Sequence, residues 1–151
     1  MHEQQNELPI VAAKDSIMKM VKDNDIIIII GETGSGKTTQ LPQLFLDQYK
    51  EDIKMVITQP RRVATVSVAH RVQDELQCFN TTVAYRIRFQ DTSDSHTKIL
   101  FVTDGILVRE LLKDPYLLKY SIIMVDEAHE RSVATDVLLG TCHFLYYNIY
   151  S

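Results

Sequence analysis

The sequence is poor in the residues that mark disulfide scaffolds, collagen-like repeats and membrane spans. Of its 151 residues two are cysteine, four proline, five glycine and none tryptophan. Cys78 and Cys142 stand far apart and form no metal-type or redox-type spacing, so they read as ordinary thiols of a reducing compartment. No low-complexity tract or short repeat breaks the chain. Met1–Leu8 is polar and acidic, unlike a secretory signal. The Ile26–Ile30 run falls far short of the roughly 20 apolar residues that span a bilayer. These absences predict an intracellular protein, nuclear or cytoplasmic. There is no excess of positive charge either: the formal net charge of −4 excludes binding nucleic acid by global basicity. It leaves room for a local basic groove.

What is present is the composition of one globular domain, 45% hydrophobic and 24% charged. Basic residues do concentrate in one place. The window 58–88 holds Arg61, Arg62, Arg71, Arg86 and Arg88 against only Asp74 and Glu75. Met1–Glu7 reads as a flexible lead-in, with a single domain from residue 8 to 151. Pro9 opens a helix running to about Val21, and Ile26–Ile30 has the unbroken apolar pattern of a strand covered on both faces. Helices are predicted over Lys37–Tyr49, Val63–Gln77 and Asp104–Lys113, with another beginning near Arg131. Strands are predicted at Met55–Thr58, Thr82–Arg88, Lys98–Thr103 and Ser121–Val125. Apolar strands alternating with helices define an α/β fold with a parallel sheet.

Two constellations carry chemistry. Gly31-Glu32-Thr33-Gly34-Ser35-Gly36-Lys37-Thr38 matches G-x-x-x-x-G-K-[ST] between a predicted strand and a predicted helix. Glycines let successive backbone N–H groups turn toward phosphate oxygens, and the helix N-terminus adds a favourable dipole. Lys37 brings an ammonium to the β/γ-phosphates, and the Thr38 hydroxyl suits Mg²⁺. Three of the five glycines fall at 31, 34 and 36, which a merely flexible loop would not require. The second constellation, Ile122-Ile123-Met124-Val125-Asp126-Glu127, puts two carboxylates at the C-terminal tip of an apolar strand, where α/β sheets bind ligands. Asp126 would hold Mg²⁺ through its water shell, and Glu127 would orient and deprotonate an attacking water. Alone, an Asp-Glu pair is as often a polar turn. Beside a phosphate loop it reads as catalytic.

Asp126-Glu127-Ala128-His129-Glu130-Arg131 is a DEAH box with a Glu-Arg extension. With Gly31–Gln40, Thr58-Gln59-Pro60-Arg61-Arg62-Val63-Ala64 and Val102-Thr103-Asp104-Gly105, the chain resembles the first RecA-like domain of DEAH-box RNA helicases from about Leu8 to Gly140. The resemblance implies a RecA-like phosphate-loop NTPase domain that binds ATP or another NTP with Mg²⁺. In a full-length protein it would couple ATP hydrolysis to RNA remodelling. Gly31, Glu32, Thr33, Gly34, Ser35, Gly36, Lys37, Thr38 and Thr39 would surround the nucleotide, with Thr38 and Asp126 at the metal. Lys37, Asp126, Glu127 and His129 would form the catalytic set, His129 linking it to a neighbouring domain. Arg71 matches an arginine that stacks on adenine. Arg61, Arg62, Arg88, Phe89, Thr103, Asp104 and Gly105 match segments that touch RNA, for which sequence-tolerant backbone contacts suit a stepping motor. Taken without the resemblance, His129 also reads as a satisfied polar residue, Arg71 as part of a solvated helix face, Arg88 as a surface charge and Phe89 as a core aromatic. Ala84 departs from the glycine common before Tyr85.

A larger departure lies after Asp136–Gly140. The family continues to a Ser-Ala-Thr strand and a second RecA-like domain bearing arginine fingers, whereas this sequence reads Thr141–Ser151, with strand-like composition over His143–Tyr150. The expectation is therefore of a domain truncated before Ser-Ala-Thr, a fragment of marginal stability. It would bind nucleotide but lack the second domain that turnover and unwinding require, besides any activator proteins. In the related fold the absent strand separates the phosphate-loop strand from the Asp-Glu strand, so a gap in the sheet is expected there. Two alternatives remain at this stage: a catalytically silent nucleotide- or RNA-binding module, and a phosphate-loop ATPase outside the helicases.

Overall fold

The computed structural model describes residues 8–49, 53–77 and 82–149. The predicted flexible lead-in and Cys78 lie outside them. The first helical region divides at Ala13 into α1 (Pro9–Ala12) and α2 (Lys14–Asp23). Then come α3 (Lys37–Tyr49), β1 (Met55–Gln59), α4 (Arg62–Leu76), β2 (Val83–Ile87), β3 (Gln90–Asp91) and β4 (Ile99–Thr103). The chain continues through α5 (Asp104–Leu111), β5 (Ile122–Val125), a 3₁₀ turn (Ala128–Glu130) and α6 (Val133–Ile149). Four of the five strands are parallel in the order β2-β4-β1-β5, and the two-residue β3 pairs antiparallel with β2 at the far edge.

Burial explains why β1 and β4 are apolar runs. Period-two alternation sends neighbouring residues to opposite faces, and helices cover both. Met55, Ile57, Val83, Tyr85, Ile99 and Phe101 pack on one face with Ile10, Ile17, Leu41, Phe45, Ala69 and Val72 of α1–α4. Val56, Ala84, Leu100 and Val102 pack on the other with Leu107, Leu111 and Leu138 from α5 and α6. The register Gln59↔Thr103 and Thr58↔Val125 brings the C-terminal ends of β4, β1 and β5 to one edge. The loops that carry Arg61–Arg62, Thr103–Gly105 and Asp126–Glu127 leave from that edge.

Two sequence expectations are corrected. Ile26–Ile30 is not a strand: it joins no sheet among the described residues, and Ile28 and Ile30 are 85% and 93% exposed. Ile29 alone of the five packs against the core. A strand buried on both faces needs a hydrogen-bonded neighbour, and none of the described strands pairs with this segment. On the side of β5 away from β1 no described strand follows, and all four β5 residues are only partly buried. The second correction concerns His143–Tyr150, where α6 continues to Ile149 and Tyr150 lies outside the described residues. A helix already turning from Val133 propagates at one hydrogen bond per residue, which outweighs local β propensity.

This placement yields a contrast in stability. In the 151-residue chain, Ile30→Ser is expected to change unfolding free energy by no more than about 0.5 kcal/mol, as for a surface position. Phe101→Ala, from a fully buried site, should cost about 3–5 kcal/mol. Urea denaturation of the two variants measures the difference; equal costs would place Ile30 in a covered strand.

Candidate nucleotide and nucleic-acid site

The glycine loop between Ile30 and α3 needs two left-handed residues, Gly34 at φ +82° and Gly36 at φ +91°. At Gly36 a Cβ would also approach Gln40 Cγ and Ile10 Cγ2 to 3.0 Å, so the backbone there lies directly on α1 and α3. Gly34 faces open space. The loop thus presents Lys37 and Thr38 on the first turn of α3, with Ser35 and Thr39 buried behind it. Lys37 Nζ donates to the carbonyl oxygens of Gly31 and Glu32 and to Ser35 Oγ. Its ammonium therefore caps its own loop and must exchange these partners to reach an anion. A Cβ on Gly31 would meet Ser35 Oγ at 3.1 Å and the Lys37 side chain at 3.5 Å, so a larger residue there would press on both side chains of the loop.

Asp126 follows β5 and is 8% exposed. Its Oδ2 accepts the Thr38 hydroxyl at 2.6 Å and the Gln59 side-chain amide at 2.6 Å, and its Oδ1 accepts the Glu127 backbone N–H at 2.8 Å. Thr38 and Asp126 lie 88 residues apart in sequence and meet only through the fold. Two hard oxygen ligands beside a phosphate loop fit Mg²⁺, which takes one or two protein oxygens and completes its shell with water and phosphate. Among the described residues no cluster of three His, Cys, Asp or Glu competes as a metal site. Glu127 sits in the left-handed region at φ +50°, and its carboxylate lies 3.4 Å from His129 Nε2.

Arg71 lies on α4, the helix that packs beside α3. Its Nε donates to Glu75 Oε1 at 2.9 Å, while Glu75 Oε2 accepts Gln40 and Gln43 of α3, each at 2.7 Å. Glu75 is thus a buried bracket that ties Arg71 to the phosphate-loop helix. Sequence reasoning passed over it, although its i,i+4 spacing from Arg71 was visible.

The other named residues line the same edge of the sheet. Arg61, largely exposed, pairs with Glu130 at 3.1 Å, and Arg62 donates to the Arg88 carbonyl. Phe89 is 90% exposed at φ +69°, with the Arg88 guanidinium 4.8 Å from its ring centre. It is not a core aromatic. Arg62, Val63, Val66, Ser67 and Ile87 line an open apolar groove. Asp104, by contrast, turns inward: its Oδ2 accepts Thr135 at 2.6 Å and Ser132 at 3.3 Å near the start of α6. Only Thr103 and the backbone of the 103–105 segment remain for an outside partner.

The hairpin under Phe89 is braced by charge. Arg86 bonds Asp91, Glu110 and Ser93, and Tyr120 and Lys119 both reach Glu110 Oε2. Burial pushes the Asp91 carboxyl up, but hydrogen bonds from Ser93 and Arg86 outweigh it and hold the group below its ordinary 3.8. Burial, with the Glu110 carboxylate beside it, pushes the Tyr120 phenol up.

A helix-flanked, mostly parallel sheet with these elements is a RecA-like α/β domain. Residues 11–138 match the family model described as DEAD/DEAH box helicase, and the chain belongs to that family. It is 52% identical over 141 residues to a pre-mRNA-splicing factor ATP-dependent RNA helicase, DEAH10, of Arabidopsis thaliana, covering 91% of this chain and 20% of the relative. It is 51% identical over 140 residues to the ATP-dependent RNA helicase DHX33 of Drosophila melanogaster, covering 91% and 20%. With the pre-mRNA-splicing factor ATP-dependent RNA helicase prp22 of Schizosaccharomyces pombe, identity is 50% over 143 residues, covering 93% and 12%. The chain therefore spans a fifth or less of these relatives' length. No helix among the described residues is long and apolar enough to cross a membrane.

Two outcomes test the geometry. Gly36→Ala should destabilise more than Gly34→Ala. Both carry the left-handed penalty of about 1–2 kcal/mol, but only Gly36 adds overpacking of about 1–3 kcal/mol. Thermal melts of the two variants rank them. For Asp91, a lowered folded-state pKa means stability that is present above pH 3.8 and lost as pH falls through the lowered value. Asp91→Asn should flatten that acid limb in a melting-temperature series below pH 4 and leave neutral-to-alkaline slopes unchanged.

Proposed function

We propose that this chain is the ATP-binding domain of a DEAH-box RNA helicase and binds an NTP with Mg²⁺ between the phosphate loop and the end of β5. The observation that carries this reading is the meeting of Thr38 and Asp126 on one carboxylate oxygen at 2.6 Å. Lys37 leaves the loop carbonyls to hold phosphate, and Thr38 with Asp126 holds the metal. Bound Mg²⁺ would neutralise phosphate charge and act as Lewis acid. Glu127 orients and deprotonates the attacking water, its backbone held by Asp126, and His129 links it to a neighbouring domain. Arg71, held by Glu75, would supply the cation that stacks on adenine.

On the RNA side, Arg61 and Arg62 neutralise phosphates, Arg88 and Phe89 offer a stacking platform, and Thr103 with the Asp104–Gly105 backbone adds polar contacts. RNA remodelling and splicing-type partners belong to the whole protein, as does a second RecA-like domain. Arginine fingers from such a domain are worth roughly 10³–10⁵ in rate in phosphoryl-transfer enzymes. One observation favours a catalytically silent binding module instead. Ile26–Ile30, which leads into the loop, is not anchored in the sheet.

Titrating a fluorescent ATP analogue with Mg²⁺, and following hydrolysis with and without single-stranded RNA, separates these readings. Lys37→Ala should weaken nucleotide binding roughly 10- to 100-fold, the loss of charged hydrogen bonds. Glu127→Gln should bind as the parent does and lose its RNA-stimulated turnover. RNA binding with no turnover in the parent chain would favour the silent module, and binding of neither nucleotide nor RNA would reject both.

A further inference from the structure

Gln59 is the last residue of β1, 3% exposed, with β4 on one side and β5 on the other. Its amide nitrogen donates at 2.6 Å to Asp126 Oδ2, the oxygen that also accepts Thr38. A carboxylate only accepts, so the amide must present its NH₂ and the side chain has one useful orientation. Both Asp126 oxygens are then engaged, Oδ2 by two side chains and Oδ1 by the Glu127 N–H. Of these partners, Thr38 is the one expected to give up its bond to a metal. Once it does, Gln59 is the side chain that still fixes the carboxylate's rotation.

A buried amide at the end of an apolar strand is costly unless paired, and its pairing here is charge-assisted. Packing alone would be met by an apolar residue. Gln59 is also joined by one peptide link to Pro60 and by two to Arg61, the start of the proposed RNA-facing segment. We infer that Gln59 is a positioning residue for the metal site: it orients Asp126 toward Mg²⁺ and makes that orientation depend on where the end of β1 stands. The inference rests on the nucleotide reading above.

The test uses the 151-residue chain and a fluorescent ATP analogue, titrated with Mg²⁺ and separately in EDTA. Gln59→Met keeps the length and unbranched shape but cannot donate. It is expected to raise the half-saturating Mg²⁺ concentration about tenfold, the scale seen when a group holding a metal ligand is lost. Affinity in EDTA should not change. An unchanged Mg²⁺ requirement overturns the inference. So does an equal loss with and without Mg²⁺, which would mark Gln59 as a packing residue. Circular dichroism checks folding; should Gln59→Met not fold, Gln59→Asn, one methylene too short to reach, takes the same titration with the same two outcomes. A parent chain that binds no analogue overturns the nucleotide reading and this inference together, whereas binding by the parent with unchanged variants overturns the inference alone.

Discussion

The site turns on one buried carboxylate. Asp126 gathers a hydroxyl from α3, an amide from β1 and a backbone N–H from its own turn. A charge at this depth is tolerable because each donor offsets part of its lost hydration, and the three donors come from separate elements. The same arrangement fixes where the phosphate loop stands relative to the sheet. Moving α3, β1 or β5 independently would strand a charge in a poorly hydrated place.

The sheet supplies the frame for that contact. Parallel strands β4, β1 and β5 end in register, so residues from distant stretches of chain meet along one edge. Polar side chains knit the loops there: Arg61 to Glu130, Arg62 to the Arg88 carbonyl, Asp104 to Thr135. The first joins a proposed RNA-facing segment to the turn that follows Asp126, and the last joins another to the start of α6. Exposed pairs such as Arg61–Glu130 contribute little to stability, and an RNA phosphate could replace Glu130 at small cost. The buried Asp104–Thr135 link is of the durable kind, since breaking it leaves polar atoms without water.

Much of this was legible in the chain itself. Lys37–Tyr49 forms as predicted to the residue, and the core strands and helices differ from expectation by one or two residues at their ends. Apolar runs and helical spacing are local signals, and for these elements the core reinforced them. The candidate residues were legible because phosphate chemistry demands particular types at fixed spacing. Gln59 and Glu75 were not singled out, since a glutamine or glutamate gains meaning only from the partner that the fold brings to it.

By itself, then, the sequence determined the α/β class, the phosphate loop and the DEAH tetrad, because each depends on residues near one another along the chain. Tertiary structure alone decided that Phe89 faces solvent, that Asp104 faces inward, and that Gln59 shares an oxygen with Thr38. It also decided against a strand at Ile26–Ile30. Five consecutive isoleucines carry strong strand propensity, but a strand exists only through hydrogen bonds to a neighbour. Among the described residues that neighbour is missing, and the run of isoleucines itself carries no sign of it.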